Sequence, residues 1–285
     1  MKKFMIVFSV LLLALLGYDL LRFRLGVSFG LFQAGEPTAF MTTDAEAIYM
    51  DRGAGPEPFT VRGVNLGVGI PGKWATDYAI DKETYLRWFS QMQEMGANTV
   101  RVYITLQDDF YNAFYEYNTA REAAGEEPLW LLHGVWVNDY VQNSHRDAYH
   151  RDFLEAFVRD GRTMVDVIHG NKRISLGRGT GSGFYRRDVS RWVLGYILGV
   201  EWEDVTVAYT DHKYPRLEPY RGTYLSASDD ATAFEAMLAQ AGDRIIAYET
   251  RRYKQQRLVA FSNWPTTDPF LYPEDLTTFF RKCAQ

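Results

Sequence analysis

Residues 191–204 read RWVLGYILGVEWED, an apolar run that ends abruptly at Glu201. An apolar run this continuous predicts a strand that is buried on both faces, as in a parallel sheet covered by helices. Glu201 then occupies the carboxyl end of that strand. Because the chemistry of (β/α) barrels lies at the carboxyl ends of their strands, Glu201 is the candidate catalytic residue.

The rest of the chain alternates between predicted strands and long helices. Four further stretches have the composition of strands: 59–67, 98–104, 128–137 and 257–263. Helices are predicted between them, over 81–95, 109–122, 149–169 and 229–253. The first of these helices has Asp81 as its N-cap and one apolar face. Strands that alternate with helices predict an α/β fold with right-handed crossovers, either a doubly wound sheet or a closed barrel.

The composition excludes several classes of protein. The chain has 285 residues and is 47% apolar, so a large core is available and global disorder is not expected. A net charge of −5 offers no basic surface, and we expect no nucleic-acid partner. Cys283 is the single cysteine, which rules out an internal disulfide. We expect no cofactor. We also expect no metal, because His145, Asp147 and His150 do not show the spacing of metal ligands on a helix and no third ligand accompanies them.

The apolar composition of the first 24 residues predicts a membrane-spanning segment. Lys2 and Lys3 precede an almost unbroken apolar run from Phe4 to Leu16, and Asp19 follows it. A spanning helix needs about 20 apolar residues, a length that is reached only if Asp19 lies near the interface. No small-x-small cleavage site follows, so we expect an uncleaved anchor rather than a cleaved signal peptide. The lysines favour a cytoplasmic N-terminus, which predicts a cell-membrane protein with an extracytoplasmic main domain.

Residues 25–57 lack periodicity and are predicted to be a linker, with a short hairpin before the main domain as an alternative, which leaves 58–285 as the main domain. Within that domain the stretch GRGTGSG at 177–183 raises a nucleotide-binding alternative. A dinucleotide loop needs G-x-G-x-x-G spacing between a strand and a helix. This stretch has G-x-G-x-G-x-G spacing and leads into a strand, so a mobile surface loop is the preferred interpretation.

Four of the predicted strands carry short motifs in a fixed order. They are RGVNLG at 62–67, GANTVRVY at 96–103, LLHGV at 131–135 and LGYILGVEWE at 194–203. Together they resemble the clan of retaining (β/α)8 glycoside hydrolases that includes β-galactosidases, mannanases and cellulases. The resemblance covers roughly residues 59–269. It implies a TIM-barrel-like fold that acts on or binds a β-linked oligo- or polysaccharide.

The resemblance also implies roles for particular residues. Glu201 matches the general acid/base at the end of the fourth strand. Arg101 matches an arginine that helps to position the nucleophile, and His133 matches a histidine that lines the sugar subsite. The family usually has Asn directly before its acid/base, whereas this chain has Val200.

Other candidates follow from the chemistry of glycoside cleavage. An acid must protonate the leaving oxygen, and retention needs a second carboxylate about 5.5 Å away. An aromatic wall keeps such an acid protonated near neutral pH, and Trp202 is the candidate wall. Trp264 follows the fifth strand, and Trp136 and Asp139 follow the third, so all three are candidate sugar contacts at the same rim. Packing in the core is the alternative role for each tryptophan.

The chain contains about five strand–helix units, whereas a complete barrel has about eight. The family's nucleophile comes from the seventh strand, which has no counterpart here. We therefore expect an incomplete barrel, either the front part of a longer protein or a non-catalytic remnant, with little or no hydrolysis. The alternative function is a non-catalytic cell-surface protein that binds carbohydrate or serves as a scaffold. A second carboxylate near Glu201 would distinguish the two.

Overall fold

The computed structural model describes residues 2–25, 35–137, 147–175, 180–265 and 272–283. In chain order the elements are α1 (Lys2–Asp19), β1 (Met41–Thr43), β2 (Ile48–Asp51), β3 (Pro56–Pro58), β4 (Gly63–Leu66), α2 (Lys82–Glu94), β5 (Thr99–Val102), α3 (Asp108–Ala123), β6 (Trp130–Val135), α4 (Arg151–Ile168), β7 (Lys172–Ile174), β8 (Gly183–Tyr185), β9 (Val193–Trp202), α5 (Asp204–Lys213), α6 (Ala233–Tyr253), β10 (Leu258–Asn263) and α7 (Glu274–Cys283). The predicted α/β class is confirmed.

The centre of the fold is a five-stranded parallel sheet in the order β10-β9-β6-β5-β4. The five strands of this sheet lie side by side in chain order, and of the other described strands only the β7–β8 hairpin is inserted, between β6 and β9. The order therefore never reverses as it does in a doubly wound sheet. Right-handed crossovers then direct the connecting helices to one face. β4 and β10 are the sheet edges, and the described strands do not close into a ring.

One core joins the sheet to its helices. Val100, Leu131 and Val193, from three adjacent strands, are fully buried. They belong to one apolar cluster with buried residues of α2, α3, α4 and α6. Burial of each such side chain contributes about 1.5–3 kcal/mol, so packing of the helices on the sheet contributes substantially to the stability of the fold.

The helix starts depend on side-chain caps. Asp81 caps α2 as predicted, since its carboxylate accepts a 2.8 Å hydrogen bond from the backbone N–H of Thr84. The predicted helix over 229–253 begins later than expected. Thr232 caps α6 and forms a reciprocal capping box with Glu235, which satisfies two backbone donors at once.

The second half of the linker predicted over 25–57 contains more structure than the short hairpin considered there. Residues 41–58 form a three-stranded antiparallel sheet, β1-β2-β3. Met41 and Met50 of this sheet are buried in the core, and Phe40 packs on Trp130 at the start of β6. The small sheet therefore contacts the N-terminal end of the parallel sheet. Strands of three and four residues show too few alternations for a pattern to reveal them.

The hairpin of β7 and β8 was also not predicted, and its glycines have a packing role. Residues 176–179 lie outside the described residues, so only part of the glycine-rich stretch can be placed. A Cβ at Gly181 would lie 2.2 Å from the backbone carbonyl carbon of Leu106. At Gly183, a Cβ would lie 2.4 Å from the carboxylate carbon of Asp108. Both glycines therefore allow β8 to approach the segment that follows β5.

A buried ionic network lies near the N-terminal end of the sheet. Glu249 accepts hydrogen bonds of 2.8 Å from His169, 2.6 Å from Tyr196 and 2.8 Å from Arg257. Arg257 also donates to two backbone carbonyls just before and at the start of β9, each at 2.6 Å. Burial alone raises the pKa of Glu249, but the charge of Arg257 and the hydrogen bond from His169 hold that pKa below its ordinary value.

The N-terminal helix lies outside the core. None of the residues of α1 is buried, and the chain continues as a π-helical turn over Leu20–Arg24. The stretch Lys2–Phe23 is long and apolar enough to span a membrane, and a signal sequence would have the same features. Its 22 residues extend about 33 Å at 1.5 Å per residue.

Candidate functional site

A cleft of about 790 Å³ lies at the carboxyl ends of the parallel strands. Its lining comes from the segments that follow β4, β5 and β6, from the end of β9, and from the residues before β8. The described residues that line it are Leu66, Gly67, Val68, Ala75, Thr76, Tyr78, Tyr103, Ile104, Gln107, Trp136, Thr180, Ser182, Val200 and Glu201. Ligands of α/β proteins bind at this end of the sheet.

An irregularity at the end of β9 directs Glu201 into the cleft. Between two regular pairs with β10, residues 199–201 of β9 oppose the single residue Ser262. Bulges of this kind re-aim side chains and are frequent beside active sites. As a result Val200 and Glu201 both line the cleft, and Glu201 is exposed.

Backbone strain is concentrated at the same cleft. Among the described residues, the non-glycine residues with positive φ are Tyr78 at 47°, Glu201 at 50° and Lys254 at 55°. Lys254 follows α6 as its C-cap, a position where this conformation is common. The other two line the cleft. Such a backbone costs about 1–3 kcal/mol and is usually retained where function requires it.

Trp202 was predicted to form a wall beside Glu201, and the structure places it elsewhere. Its ring is fully buried and packs edge-on against Phe234 and Phe157, with centroids 4.9 and 5.5 Å away. A Cβ at Gly199 would lie 2.3 Å from that ring, and Gly199 has a φ of 73°. Trp202 therefore fixes the bulge from the core side, because the bulge turns it away from the cleft.

Aromatic side chains give the cleft its apolar surface. Tyr78, Tyr103 and Trp136 all line it, and Trp136 is one of the predicted contacts. Trp74 directly precedes two lining residues and is 80% exposed. The sequence interpretation missed Tyr78 and Tyr103 as residues that line the cleft, and it missed Trp74 as their exposed neighbour. Their positions after strands β4 and β5 could have identified them, because Glu201 was chosen as a candidate for its position at the end of a strand.

Glu201 is the only carboxylate among the described residues that line the cleft. It makes no hydrogen bond or ion pair with any described residue, so its oxygens are available to a ligand. Gln107, Thr180 and Ser182 add amide and hydroxyl groups. No group of three or more His, Cys, Asp or Glu side chains in the described part of the chain could hold a metal.

The chain was compared with protein-family models, with curated proteins and with solved structures. No match was found. Its function is therefore inferred from the cleft itself: one exposed carboxylate, aromatic rings and neutral polar groups at the carboxyl ends of parallel strands.

Arg101 lies beside the cleft rather than in its lining. Its guanidinium carbon is 4.8 Å from the ring centroid of Tyr103, which does line the cleft. Its Nε is buried and has no hydrogen-bond partner among the described residues. Arg101 thus supports one aromatic wall of the site from behind.

His133 was predicted to line a sugar subsite, but its side chain belongs to the helix-covered face of the sheet. In the strand register Arg101 pairs with Leu132, so His133 points to the opposite face. It is fully buried, with Nε2 2.7 Å from the Tyr111 hydroxyl and Nδ1 2.9 Å from the Gly134 carbonyl. Since a carbonyl can only accept, Nδ1 donates and Nε2 accepts. Burial lowers the pKa of His133 to about 4, and the ring is a neutral core group.

Two predicted contacts are not part of the described lining. Trp264 follows β10 and is 44% exposed, but it does not line this cleft among the described residues. Asp139 lies outside the described residues, as do Asn138 and His145. The structure therefore brings Glu201 and Trp136 into one cleft, while Arg101 contacts the Tyr103 ring beside it.

Proposed function

We propose that the chain is a membrane-anchored, glycoside-hydrolase-like protein whose cleft binds a β-linked oligo- or polysaccharide. The observation that carries this proposal is the bulge that directs Glu201 into a cleft at the carboxyl ends of parallel strands. That end of the sheet holds the substrate in (β/α) barrels. Glu201 has the general acid/base position by resemblance, and its carboxylate can accept hydrogen bonds from sugar hydroxyls.

The proposed fold is an incomplete (β/α)8 barrel. Five parallel strands pair in their order along the chain, as consecutive strands of such a barrel do. The motifs that resemble the glycoside hydrolases lie in or around β4, β5, β6 and β9. By contrast, the glycine-rich stretch at 177–183 leads into β8 rather than a helix, which gives no support to nucleotide binding.

The cleft lining has the mixture of groups that a sugar needs. Tyr78, Tyr103 and Trp136 offer rings on which the apolar face of a pyranose can stack. Gln107 and Ser182 offer polar groups that can bond to hydroxyls. A mainly apolar cleft with a few polar groups is typical of small-molecule sites.

We propose binding without hydrolysis. Retaining cleavage needs two carboxylates about 5–5.5 Å apart, and inverting cleavage needs two about 6.5–9.5 Å apart. Glu201 is the single carboxylate in the described lining. A non-catalytic carbohydrate-binding or scaffold protein at the cell surface is therefore the form of this proposal that the cleft supports best.

The proposed anchor is the helix over Lys2–Phe23, retained rather than cleaved. Phe23 is 7% exposed because it packs against the folded domain, and Arg22 donates a 2.7 Å hydrogen bond to Asn171. Removal of this segment as a signal peptide would remove both contacts. Lys2 and Lys3 lie at the start of this helix, and they favour a cytoplasmic N-terminus with an extracytoplasmic main domain. Protease protection in intact cells tests this orientation.

Calorimetric titration with β-linked glucan and mannan oligosaccharides tests the carbohydrate proposal. The full chain is embedded in lipid nanodiscs, because detergents with sugar head groups would compete for the cleft. We expect binding of at least one oligosaccharide. Tyr103→Ala should weaken it roughly two- to tenfold, since an aromatic contact contributes about 0.5–1.5 kcal/mol. Tyr224→Ala is the matched control, because Tyr224 is exposed and lies outside the described lining.

An aryl β-glycoside assay on the same sample addresses hydrolysis. We expect no turnover. Turnover that disappears in Glu201→Gln would show that the chain is an enzyme and would contradict binding without hydrolysis. Failure of every oligosaccharide to bind would contradict the carbohydrate proposal as a whole.

A further inference from the structure

The end of the N-terminal helix packs against the β7–β8 hairpin. The ring of Phe23 meets that of Phe184 edge to face, with centroids 4.6 Å apart. Arg173 and Phe184 lie directly opposite each other in the hairpin, so both strands take part. Arg22 Nε donates a 2.7 Å hydrogen bond to the side chain of Asn171, next to β7. The helix end and the hairpin therefore form one continuous interface.

Three guanidinium groups surround the two rings. We call Arg22, Arg173 and Arg186 the arginine cluster. Arg186 and Arg173 lie 3.6 and 5.5 Å from the Phe184 ring centroid, and Arg22 lies 5.0 Å from that of Phe23. Arg173 and Arg186 are exposed. Stacking on aromatic faces fixes the guanidinium planes. Arg22 already donates hydrogen bonds to Asn171 and Tyr18, so the N–H groups open to a ligand are mainly those of the exposed Arg173 and Arg186.

The arginine cluster carries an excess of positive charge. Within the described residues, the carboxylate that pairs with it is Asp19, 3.6 Å from Arg173. The other two guanidinium groups form no ion pair there. Arginine is the preferred partner of phosphate because its forked donors match two phosphate oxygens.

The position of the cluster follows from the length of the proposed anchor. The 22 residues of Lys2–Phe23 span about 33 Å, and the hydrocarbon core of a bilayer is about 30 Å thick. Phe23 would then lie where the hydrocarbon ends. The arginine cluster, which surrounds Phe23, would lie at the depth of the lipid phosphates.

We propose that the arginine cluster binds the phosphate groups of anionic phospholipids and so fixes the β7–β8 hairpin to the membrane surface. This proposal depends on the anchor described under Proposed function. Anionic leaflets attract basic groups that lie within about one Debye length, roughly 8–10 Å, of their surface. The cluster meets that condition because it surrounds the last residue of the spanning stretch.

The residues directly before β8 form a wall of the cleft, so the proposed lipid contact and the cleft are connected through this strand. Ser182, two residues before Phe184, lines the cleft and donates a 2.9 Å hydrogen bond from its N–H to Gln107. The N–H of Phe184 donates a 2.8 Å hydrogen bond to Asp108. Two strand residues span about 7 Å. Lipid binding at the arginine cluster would therefore hold this wall of the cleft close to the bilayer and select polymers at the membrane surface.

Hydrogen exchange of the full chain in nanodiscs tests this proposal. One disc contains phosphatidylcholine alone, and the other contains about 30% phosphatidylglycerol, enough to create a negative surface. We expect amides of residues 171–175 and 180–187 to exchange at least threefold more slowly in the anionic disc. In Arg173→Gln/Arg186→Gln the two discs should give equal rates. Exchange of the variant in the neutral disc shows whether the hairpin is still folded.

The matched control is Arg121→Gln/Arg244→Gln, which removes two arginines that pair with glutamates elsewhere. It should retain the difference between the discs. Salt at about 1 M, where the Debye length is about 3 Å, should abolish the difference. Inorganic phosphate added to the neutral disc should not slow exchange, which separates lipid phosphate from free phosphate.

Two outcomes would overturn the proposal. One is equal exchange of the unaltered chain in the two discs. The other is a difference between the discs that persists in Arg173→Gln/Arg186→Gln. Failure of the chain to co-elute with the nanodiscs is a separate result, because it would contradict the proposed membrane anchor. It would not bear on carbohydrate binding by the cleft, which the calorimetric titration tests.

Discussion

Two glutamates at opposite ends of the parallel sheet have opposite surroundings. Glu249, near the N-terminal end, is fully buried and accepts hydrogen bonds from His169, Tyr196 and Arg257. Glu201, at the carboxyl end, is exposed, has a left-handed backbone with φ of 50° and bonds to none of the described residues.

The difference indicates what each end of the sheet does. A buried carboxylate with several donors and one cation is satisfied, so removing a partner is costly. A strained and exposed carboxylate contributes nothing evident to stability. Core packing of Trp202 holds the bulge that gives Glu201 this backbone conformation, and the exposed carboxylate is left for the proposed ligand. Substitutions at the two ends should have opposite effects on stability.

The largest expected effect is at the N-terminal end. Arg257→Met leaves Glu249 buried without its cation, which should lower the free energy of unfolding by about 3–5 kcal/mol. Urea unfolding followed by tryptophan fluorescence measures it. The control is Arg244→Gln on the same helix as Glu249, whose partner Glu155 has a side chain that is 54% exposed. That change should cost less than about 1 kcal/mol. Equal losses of unfolding free energy in the two variants would mean that the buried network stabilises the fold no more than an exposed ion pair does.

The pH dependence of stability tests the assignment of His133 to the core. Burial lowers its pKa from 6.5 to about 4, so the unfolded chain binds the proton more readily between those values. Stability should therefore fall as the pH falls from about 6.5 to about 4. At about 1.4 kcal/mol per pKa unit, the loss is on the order of 3 kcal/mol.

His133→Gln should flatten this part of the stability curve. Unfolding free energies measured from pH 7 to pH 4 in both proteins provide the comparison. If the slope is unchanged in the variant, a group other than His133 causes the pH dependence. His133 would then be a solvent-accessible group rather than a buried neutral one.

The smallest effect is expected at the carboxyl end, with the opposite sign. Glu201→Gly relieves a left-handed backbone that costs about 1–3 kcal/mol, and the greater flexibility of unfolded glycine offsets about 0.5–1 kcal/mol of that gain. A net stabilisation of about 1 kcal/mol should accompany the loss of oligosaccharide binding. Glu201→Gln retains the strain and is the control. A destabilised Glu201→Gly protein would show that Glu201 supports the fold.

The sequence predicted the regular elements but not the features that shape the cleft. The strands around Val100 and Leu131 and the helix capped by Asp81 are long or periodic enough to be read directly. His133 was expected on the wrong face, because a shift of one residue along a strand exchanges its two faces. Trp202 was expected beside the cleft, but the bulge turns it into the core. No local pattern marks the bulge at 199–201, which depends on pairing with a strand that begins at Leu258.

The short strands were predicted incompletely for a related reason: a short hairpin was considered within 25–57, but neither a three-stranded sheet nor the β7–β8 hairpin was expected. β1, β2 and β3 contain three or four residues each, too few for an alternating pattern. The glycines at 181 and 183 indicated a loop, whereas they allow β8 to lie against the segment after β5. Both positions need a small residue because of tertiary contacts, and these contacts cannot be read from the sequence.

The most direct test of the cleft is a structure determined with a bound β-linked oligosaccharide. We predict a sugar hydroxyl within about 3 Å of the Glu201 carboxylate, with a pyranose ring against Tyr103 or Trp136. A sugar bound away from these residues, or a Glu201 side chain directed away from the cleft, would contradict the proposed function.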